Sequence, residues 1–223
     1  MRRMNNMNAR ILEWQDLARK NEEEKRKAEI IQEFVSRIPR RFRGKTLADF
    51  LVEHENQSRI KQISEKFVIT FSDRLKSGAN LHFLGMPGTG KTFLALIMCQ
   101  SIVLMGYSVH YESSLQFLKV LLEKRYESNA AYQILIDYYK RIQFLVLDEI
   151  TESVTKDGEP SEVERQMLFD VINARYEQEN LCTLIISNRD KAELKSRLGC
   201  PIIDRLSEKG ITLIFDWDSY RNK

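Results

Sequence analysis

Cysteine is scarce. The 223 residues hold three, Cys99, Cys182 and Cys200, and none has the spacing of a metal-ligand set. Cys99 and Cys182 sit inside apolar runs, where a thiol serves as a small core residue. A reducing, cytoplasmic setting is therefore expected. Long apolar runs are missing as well. None approaches the roughly 18 residues needed to cross a bilayer, so no membrane contact is expected. The opening residues Met1 to Asn6 carry charge without an apolar stretch behind them, so no secretory signal is expected there. Net charge is only +3, which permits a polyanionic partner without specifying one. There is no internal repeat and no low-complexity tract. Glycine and proline are absent from Arg2 to Arg37, so nothing breaks a helix over that stretch. With 43% hydrophobic and 30% charged residues, the composition is that of a globular chain. Its length suits one large α/β domain plus an extension.

The rest of the chain is organised around Gly85-Met86-Pro87-Gly88-Thr89-Gly90-Lys91-Thr92. This fits G-x-x-x-x-G-K-[ST], the phosphate-binding loop of nucleoside triphosphatases. Leu81 to Leu84 before it reads as a buried strand, and Phe93 to Met105 after it reads as a helix. Glycines let the backbone wrap a phosphate without Cβ clashes. Backbone N–H groups then point inward, and the first helical turn adds the positive end of its dipole. Lys91 would reach the β and γ phosphates of ATP, and the Thr92 hydroxyl would ligate Mg²⁺.

Ahead of the loop, residues 8 to 38 read as one helix, with Ile11, Trp14 and Leu17 on an apolar face. The i,i+4 pairs Glu22–Arg26 and Glu23–Lys27 follow, and then a second apolar face from Ile30 to Ile38. Such a helix either projects as a contact for another protein or folds back on the core. Pro39 should end it. Thr46 is expected to cap a helix carrying Leu47, Phe50 and Leu51, and another helix to span about Gln57 to Lys76. Beyond the loop the chain alternates. Strands are expected at Tyr107 to Tyr111, Ile142 to Leu147, Cys182 to Ile186 and Ile211 to Phe215. Helices begin at Ser113 or Ser114, at about Ala130, at the capping box Ser161-Glu162-Val163-Glu164 and at Lys191. Lys124 to Asn129 interrupts the first of these. Apolar strands separated by helices give a parallel sheet covered on both faces.

In such sheets ligands bind at the carboxyl ends of the strands. Phe144-Leu145-Val146-Leu147-Asp148-Glu149 puts two carboxylates at one such end. Successive strand residues point opposite ways, so the two acids do different jobs. Asp148 would hold the Mg²⁺ shell, and Glu149 would orient and deprotonate the attacking water, a division suited to phosphoryl chemistry. Asn188, ending the next strand, could contact that water or the γ-phosphate.

These features together resemble an AAA+ ATPase, and within that group the DnaC-type helicase loaders (DnaC/IstB-like). The narrower likeness is carried by Ile203-Asp204-Arg205-Leu206, by Phe215-Asp216-Trp217-Asp218-Ser219-Tyr220-Arg221, by Leu12-Glu13-Trp14-Gln15 and by the Arg41-Phe42 to Phe50 region. The resemblance implies a three-layer α/β/α fold around a parallel five-stranded sheet. Residues 46–223 would be the ATPase domain, and residues 1–45 a helical extension and linker that binds a helicase. It implies that Gly85, Gly88, Thr89, Gly90, Lys91 and Thr92 bind nucleotide, that Asp148 and Thr92 serve the metal, and that Glu149 and Asn188 act in hydrolysis. Arg205 matches the arginine finger that reaches a neighbouring subunit's nucleotide, and Arg221 the second sensor in cis. Both suit the planar, always-charged guanidinium. A finger acting in trans implies self-association through the nucleotide site. The family's partners would be a hexameric replicative helicase (DnaB-like) and single-stranded DNA, the latter met here by Lys124, Arg125 and Tyr126, two cations beside an aromatic ring. Family members usually carry a longer stretch ahead of the Trp14 region, within a module that grips the helicase, so the expectation is either that this module is trimmed here or that the helicase contact is reduced to the helix from Ile11 to about Leu17. Two other readings are open: an IstB-type transposition helper acting on duplex DNA, and a nucleotide-gated adaptor that does not turn over.

Overall fold

Strand β1 (Asn80–Gly85) lies second from one edge of a five-stranded sheet of order β2-β3-β4-β1-β5. The others are β2 (Val109–Ser113), β3 (Phe144–Asp148), β4 (Cys182–Ser187) and β5 (Gly210–Phe215), and all pairs are parallel. The expected parallel sheet is therefore present. The computed structural model describes residues 2–150, 155 and 159–220, with the side chains of residues 2–13, 16, 23, 26 and 27 not described. Ile11, the Glu22–Arg26 and Glu23–Lys27 pairs, most of the polar loop expected from Thr151 to Pro160, and Arg221 thus lie wholly or partly outside the described residues.

The chain divides into two units, residues 1–43 and 44–223. In the first, helix α1 (Arg2–Arg37) is continuous, as the lack of glycine and proline allows. Its apolar stripe divides along its length: Trp14 is 70% exposed and Leu17 52%, whereas Phe34 and Ile38 are buried. Pro39 follows directly, before a 3-10 turn at Arg40–Phe42.

In the second unit, helices α2 (Glu55–Ile69), α3 (Phe71–Ser77) and α4 (Lys91–Leu104) pack on one sheet face. Phe67, Phe71 and Tyr107 gather there on Phe144 of β3, with ring centroids 4.8–6.0 Å apart. The opposite face is covered by α5 (Ser114–Glu127), α6 (Asn129–Tyr139), α7 (Glu162–Tyr176), α8 (Lys191–Leu198) and α9 (Cys200–Glu208). Their apolar sides form one core with Leu145, Leu147 and Ile185. Because strand residues alternate, Phe144, Val146 and Asp148 face α4, while Leu145 and Leu147 face α5 to α7. A sheet buried on both sides explains why its strands read as continuous apolar runs.

Several local expectations are corrected. The helix foreseen after Thr46 is a single 3-10 turn, Leu47–Asp49, closed when the Thr46 N–H donates to Asp49 Oδ2 at 2.8 Å. The helix foreseen from Gln57 to Lys76 is two helices broken at Thr70. There the hydroxyl donates to the Lys66 carbonyl at 2.7 Å and the backbone leaves helical geometry. The interruption foreseen at Lys124 to Asn129 shrinks to one extended residue, Ser128, whose side chain caps α6 by accepting from the Ala131 N–H at 3.0 Å. Helix α9 was not foreseen as a helix. Pro201 in its first turn, after Gly199, is the signal that marks its start.

Candidate nucleotide site

The loop between β1 and α4 bends as its glycines allow. Gly85, Gly88 and Gly90 have φ of +134°, +80° and +90°, the half of φ space that side chains avoid. Close approach adds a second constraint. A Cβ on Gly85 would lie 2.1 Å from the Phe215 carbonyl oxygen, and one on Gly88 would lie 1.9 Å from Ser219 Oγ. Gly90 stands at the N-cap of α4 and contributes no side chain to it, so no cap side chain covers the N–H groups of the first turn. Thr89 is fully buried, with its hydroxyl donating to the Met86 carbonyl at 2.8 Å. Lys91 is buried too. Its Nζ donates to the carbonyls of Gly85 and Met86, both at 2.7 Å, so the ammonium sits within the curl of the loop.

The acidic pair arrives from β3. Thr92 Oγ1 donates to Asp148 Oδ2 at 2.7 Å, joining the loop's last residue to the strand's end. The Asp148 Oδ1 accepts from the Glu149 N–H at 2.9 Å. Asp148 is buried and Glu149 exposed, so the two acids stand in different surroundings. Glu149 has φ +55°, a left-handed conformation that costs a β-substituted residue about 1 kcal/mol or more and turns the chain sharply after the strand. Sequence reasoning did not single out Tyr111. Its hydroxyl also donates to Asp148 Oδ2, at 2.7 Å. Burial first, then the Asp148 charge, raises the pKa of that phenol, so it remains a donor.

A hydroxyl and a buried carboxylate at the foot of a phosphate loop fit a hard divalent cation that draws its other ligands from phosphate and water. Among the described residues, no cluster of three His, Cys, Asp or Glu side chains gathers as an all-protein metal site. Thr92 and Asp148 would hold Mg²⁺, and the glycine-lined curl with Lys91 would hold the phosphates of ATP.

The carboxyl-terminal segment closes the back of the loop. The Tyr220 N–H donates to the Gly88 carbonyl at 2.9 Å, and the Tyr220 hydroxyl donates to the Leu51 carbonyl at 3.0 Å. Buried Trp217 lies 5.0 Å from Phe215 and 6.5 Å from Phe50, centroid to centroid. Asn56 Nδ2 donates to Asp216 Oδ1 at 2.7 Å. Apart from Trp217 on Phe215, these contacts join residues more than a hundred positions apart, and no local pattern announces them.

The remaining predicted residues separate into three groups. Asn188 is exposed just past β4, whose Ser187 pairs with Leu84 at the same carboxyl edge. Arg205 lies elsewhere. Its helix ends at the amino edge of the sheet, where the neighbouring Leu206 carbonyl meets His82 Nε2 at 3.1 Å and Asn80 Nδ2 at 3.4 Å. With β5 rising about 3.3 Å per residue, the phosphate loop is a strand's length away. Arg205 is half-buried: Nε donates to Asn173 Oδ1 at 2.7 Å and Nη1 to the Pro201 carbonyl at 2.9 Å, with the guanidinium 4.7 Å from the Phe169 ring centre. It lines an open groove of about 660 Å³ between α7 and α9. Lys124, Arg125 and Tyr126 end α5. Lys124 pairs with Glu127 at 2.5 Å, Arg125 lies 5.8 Å from the Tyr132 ring centre, and Tyr126 is 83% exposed. No described helix is long and apolar enough to cross a membrane.

Comparison with known proteins places this geometry. The chain is 26% identical over 176 residues to the replicative helicase loader DnaC of Escherichia coli strain K12, covering 78% of this chain and 68% of that one. It is 28% identical over 184 residues to the insertion sequence IS21 putative ATP-binding protein of Pseudomonas aeruginosa, covering 80% of this chain and 65% of that one. Its fold matches the crystal structure of the DnaC helicase loader with a TM-score of 0.68 at 22% identity, over 79% of this chain and 99% of that one. The model of the IstB-like ATP binding proteins matches residues 7–223, nearly the whole sequence, and the chain belongs to that family.

Proposed function

We propose that the chain is an ATP-hydrolysing helicase loader. The observation that carries the reading is the 2.7 Å link from Thr92 at the end of the phosphate loop to Asp148 at the end of β3. It sets side by side a hydroxyl and a carboxylate, both of the kind that ligates a hard cation, at the end of a glycine-rich loop. When bound, Mg²⁺ would neutralise charge on the phosphate oxygens. Lys91 would leave the Gly85 and Met86 carbonyls for the phosphates, gaining a charged partner for two neutral ones. Glu149 would take the proton of the attacking water, and Asn188 would help to hold that water in place. Arg205, remote from its own loop, would serve the nucleotide of a second copy, so turnover depends on self-association. Arg221 would contact the nucleotide in cis.

On this reading residues 1–45 form the partner-binding extension and residues 46–223 the ATPase domain. The exposed Trp14 and Leu17 would meet a hexameric replicative helicase. Lys124, Arg125 and Tyr126 would meet single-stranded DNA. Phosphate release would follow hydrolysis and let the helicase go. Two measurements test this. The first is ATP turnover with single-stranded DNA, duplex DNA or neither. The second is co-purification with the replicative helicase, with and without ATP, for the whole chain and for one lacking residues 1–35. Stimulation by single strands and ATP-dependent capture through the first 35 residues are expected. Glu149→Gln should bind ATP normally and lose about a hundredfold or more in turnover; turnover at the parent rate would remove the assigned role of Glu149.

One observation favours a second reading. The matching family model is that of the IstB-like ATP binding proteins, and one relative is a putative ATP-binding protein of an insertion sequence. A chain that binds duplex DNA alone and ignores the helicase would be a transposition helper.

A further inference from the structure

Tyr111 stands on the edge strand β2, and the register of β2 on β3 explains its contact. Tyr111 pairs with Val146 and Ser113 with Asp148, so the Tyr111, Val146 and Asp148 side chains share the face toward α4. A tyrosine two residues back along the neighbouring strand has the length to reach Asp148 diagonally. Phenylalanine would fill the same space. The buried hydroxyl carries a desolvation cost that its bond to a carboxylate returns.

We infer that Tyr111 is a positioning residue for the metal site, its hydroxyl fixing the Asp148 carboxylate in the orientation from which Asp148 and Thr92 receive Mg²⁺. The inference rests on the proposal that Asp148 serves a Mg²⁺–nucleotide site. Both oxygens of Asp148 are held, and by three different segments. Oδ2 accepts from Thr92 on α4 and from Tyr111 on β2, and Oδ1 accepts from the backbone of Glu149. Of the two side-chain donors, Thr92 changes its task when metal arrives, because its oxygen must then face the cation. Tyr111 does not, and it keeps the carboxylate plane from turning toward the metal at random. Its hold extends further. The bond from the Glu149 N–H to Oδ1 closes a ring through Asp148's own side chain and carbonyl carbon, so fixing the Asp148 carboxylate also fixes the peptide plane that leads into Glu149.

The test compares Tyr111→Phe with the parent, both carrying Glu149→Gln so that nucleotide is not consumed. A fluorescent ATP analogue is titrated in EDTA and again in Mg²⁺, and melting temperatures are recorded. The expected result is unchanged affinity in EDTA, an unchanged melting temperature, and an affinity gain on adding Mg²⁺ that is about tenfold smaller than the parent's. In the chain with Glu149 intact, the Mg²⁺ concentration for half-maximal turnover should rise in parallel. A Mg²⁺ gain equal to the parent's would overturn the inference while leaving the ATP site standing. Equal losses with and without Mg²⁺, with or without a lower melting temperature, would also overturn it and make Tyr111 a packing residue. A parent that gains nothing from Mg²⁺ would overturn both the inference and the proposal beneath it.

Discussion

Replacing Gly88 by alanine should damage the protein through two separable costs. Gly88 has φ +80°, and a side chain there costs about 1 kcal/mol of backbone strain. The new Cβ would also lie 1.9 Å from Ser219 Oγ and 2.9 Å from Ser219 Cβ, distances no real contact survives. The tail must move away. With it goes the bond from the Tyr220 N–H to the Gly88 carbonyl, about 1 kcal/mol. Together Gly88→Ala should lose about 2–3 kcal/mol, a fall in melting temperature of about 5–10 °C for a unit of this size. The assay is thermal and urea unfolding of four proteins: the parent, Gly88→Ala, Ser219→Gly and the double variant. Ser219→Gly removes the obstructing atoms and leaves the strain. The double variant should therefore recover roughly half of the loss, a coupling that a double-mutant cycle reads directly. Gly88→Ala melting with the parent, or a double variant whose costs simply add, would show that the tail does not brace the loop as described.

Arg205→Ala should bind ATP as the parent does yet lose about a hundredfold in turnover. Mixing it with Lys91→Ala should restore part of that activity at interfaces where each copy supplies what the other lacks; a mixture as inactive as its components would place the finger elsewhere. His82 is buried between Thr212 and the Leu206 carbonyl, and burial lowers its pKa from 6.5 to about 4. Because its folded-state pKa is depressed, protons bind preferentially to the unfolded chain between those values. Stability should fall as pH drops from about 6.5 to about 4, by about 3 kcal/mol from this group, and His82→Gln should flatten that slope in urea titrations. Arg175 is buried on α7 and donates to the Tyr139, Ile142 and Cys182 carbonyls and to Thr183, with burial lowering its pKa to about 9. It still carries its charge at neutral pH. Arg175→Met should strand those carbonyls and cost about 3 kcal/mol in chemical unfolding, with ATP affinity unchanged in whatever remains folded.

What was legible in the sequence follows from the range of the interactions involved. The loop at Gly85 to Thr92 announces itself because its chemistry needs particular residues at fixed spacing along one stretch of chain. The clearest strand runs, those of β3 and β4, did so because burial on both faces leaves few polar residues in them. Helix boundaries were less legible where one side-chain hydroxyl decides them. Thr70 ends α2 by bonding back to Lys66, and Ser128 divides α5 from α6, yet neither residue type forces a break. Asp148 could be placed at a strand end, but its hold by Tyr111 depends on the register of β2 against β3, which no single strand encodes. The bracing of the phosphate loop by Trp217, Ser219 and Tyr220 is likewise a product of tertiary packing. Resemblance marked those tail residues without saying what they touch.

The most direct test is a crystal structure with Mg²⁺ and a non-hydrolysable ATP analogue. The account predicts triphosphate in the curl of Gly85 to Thr92, Lys91 Nζ moved from the Gly85 and Met86 carbonyls onto phosphate oxygens, and the cation between Thr92 and the water shell of Asp148. A nucleotide bound elsewhere, or Lys91 still on those two carbonyls with the curl closed, would contradict it.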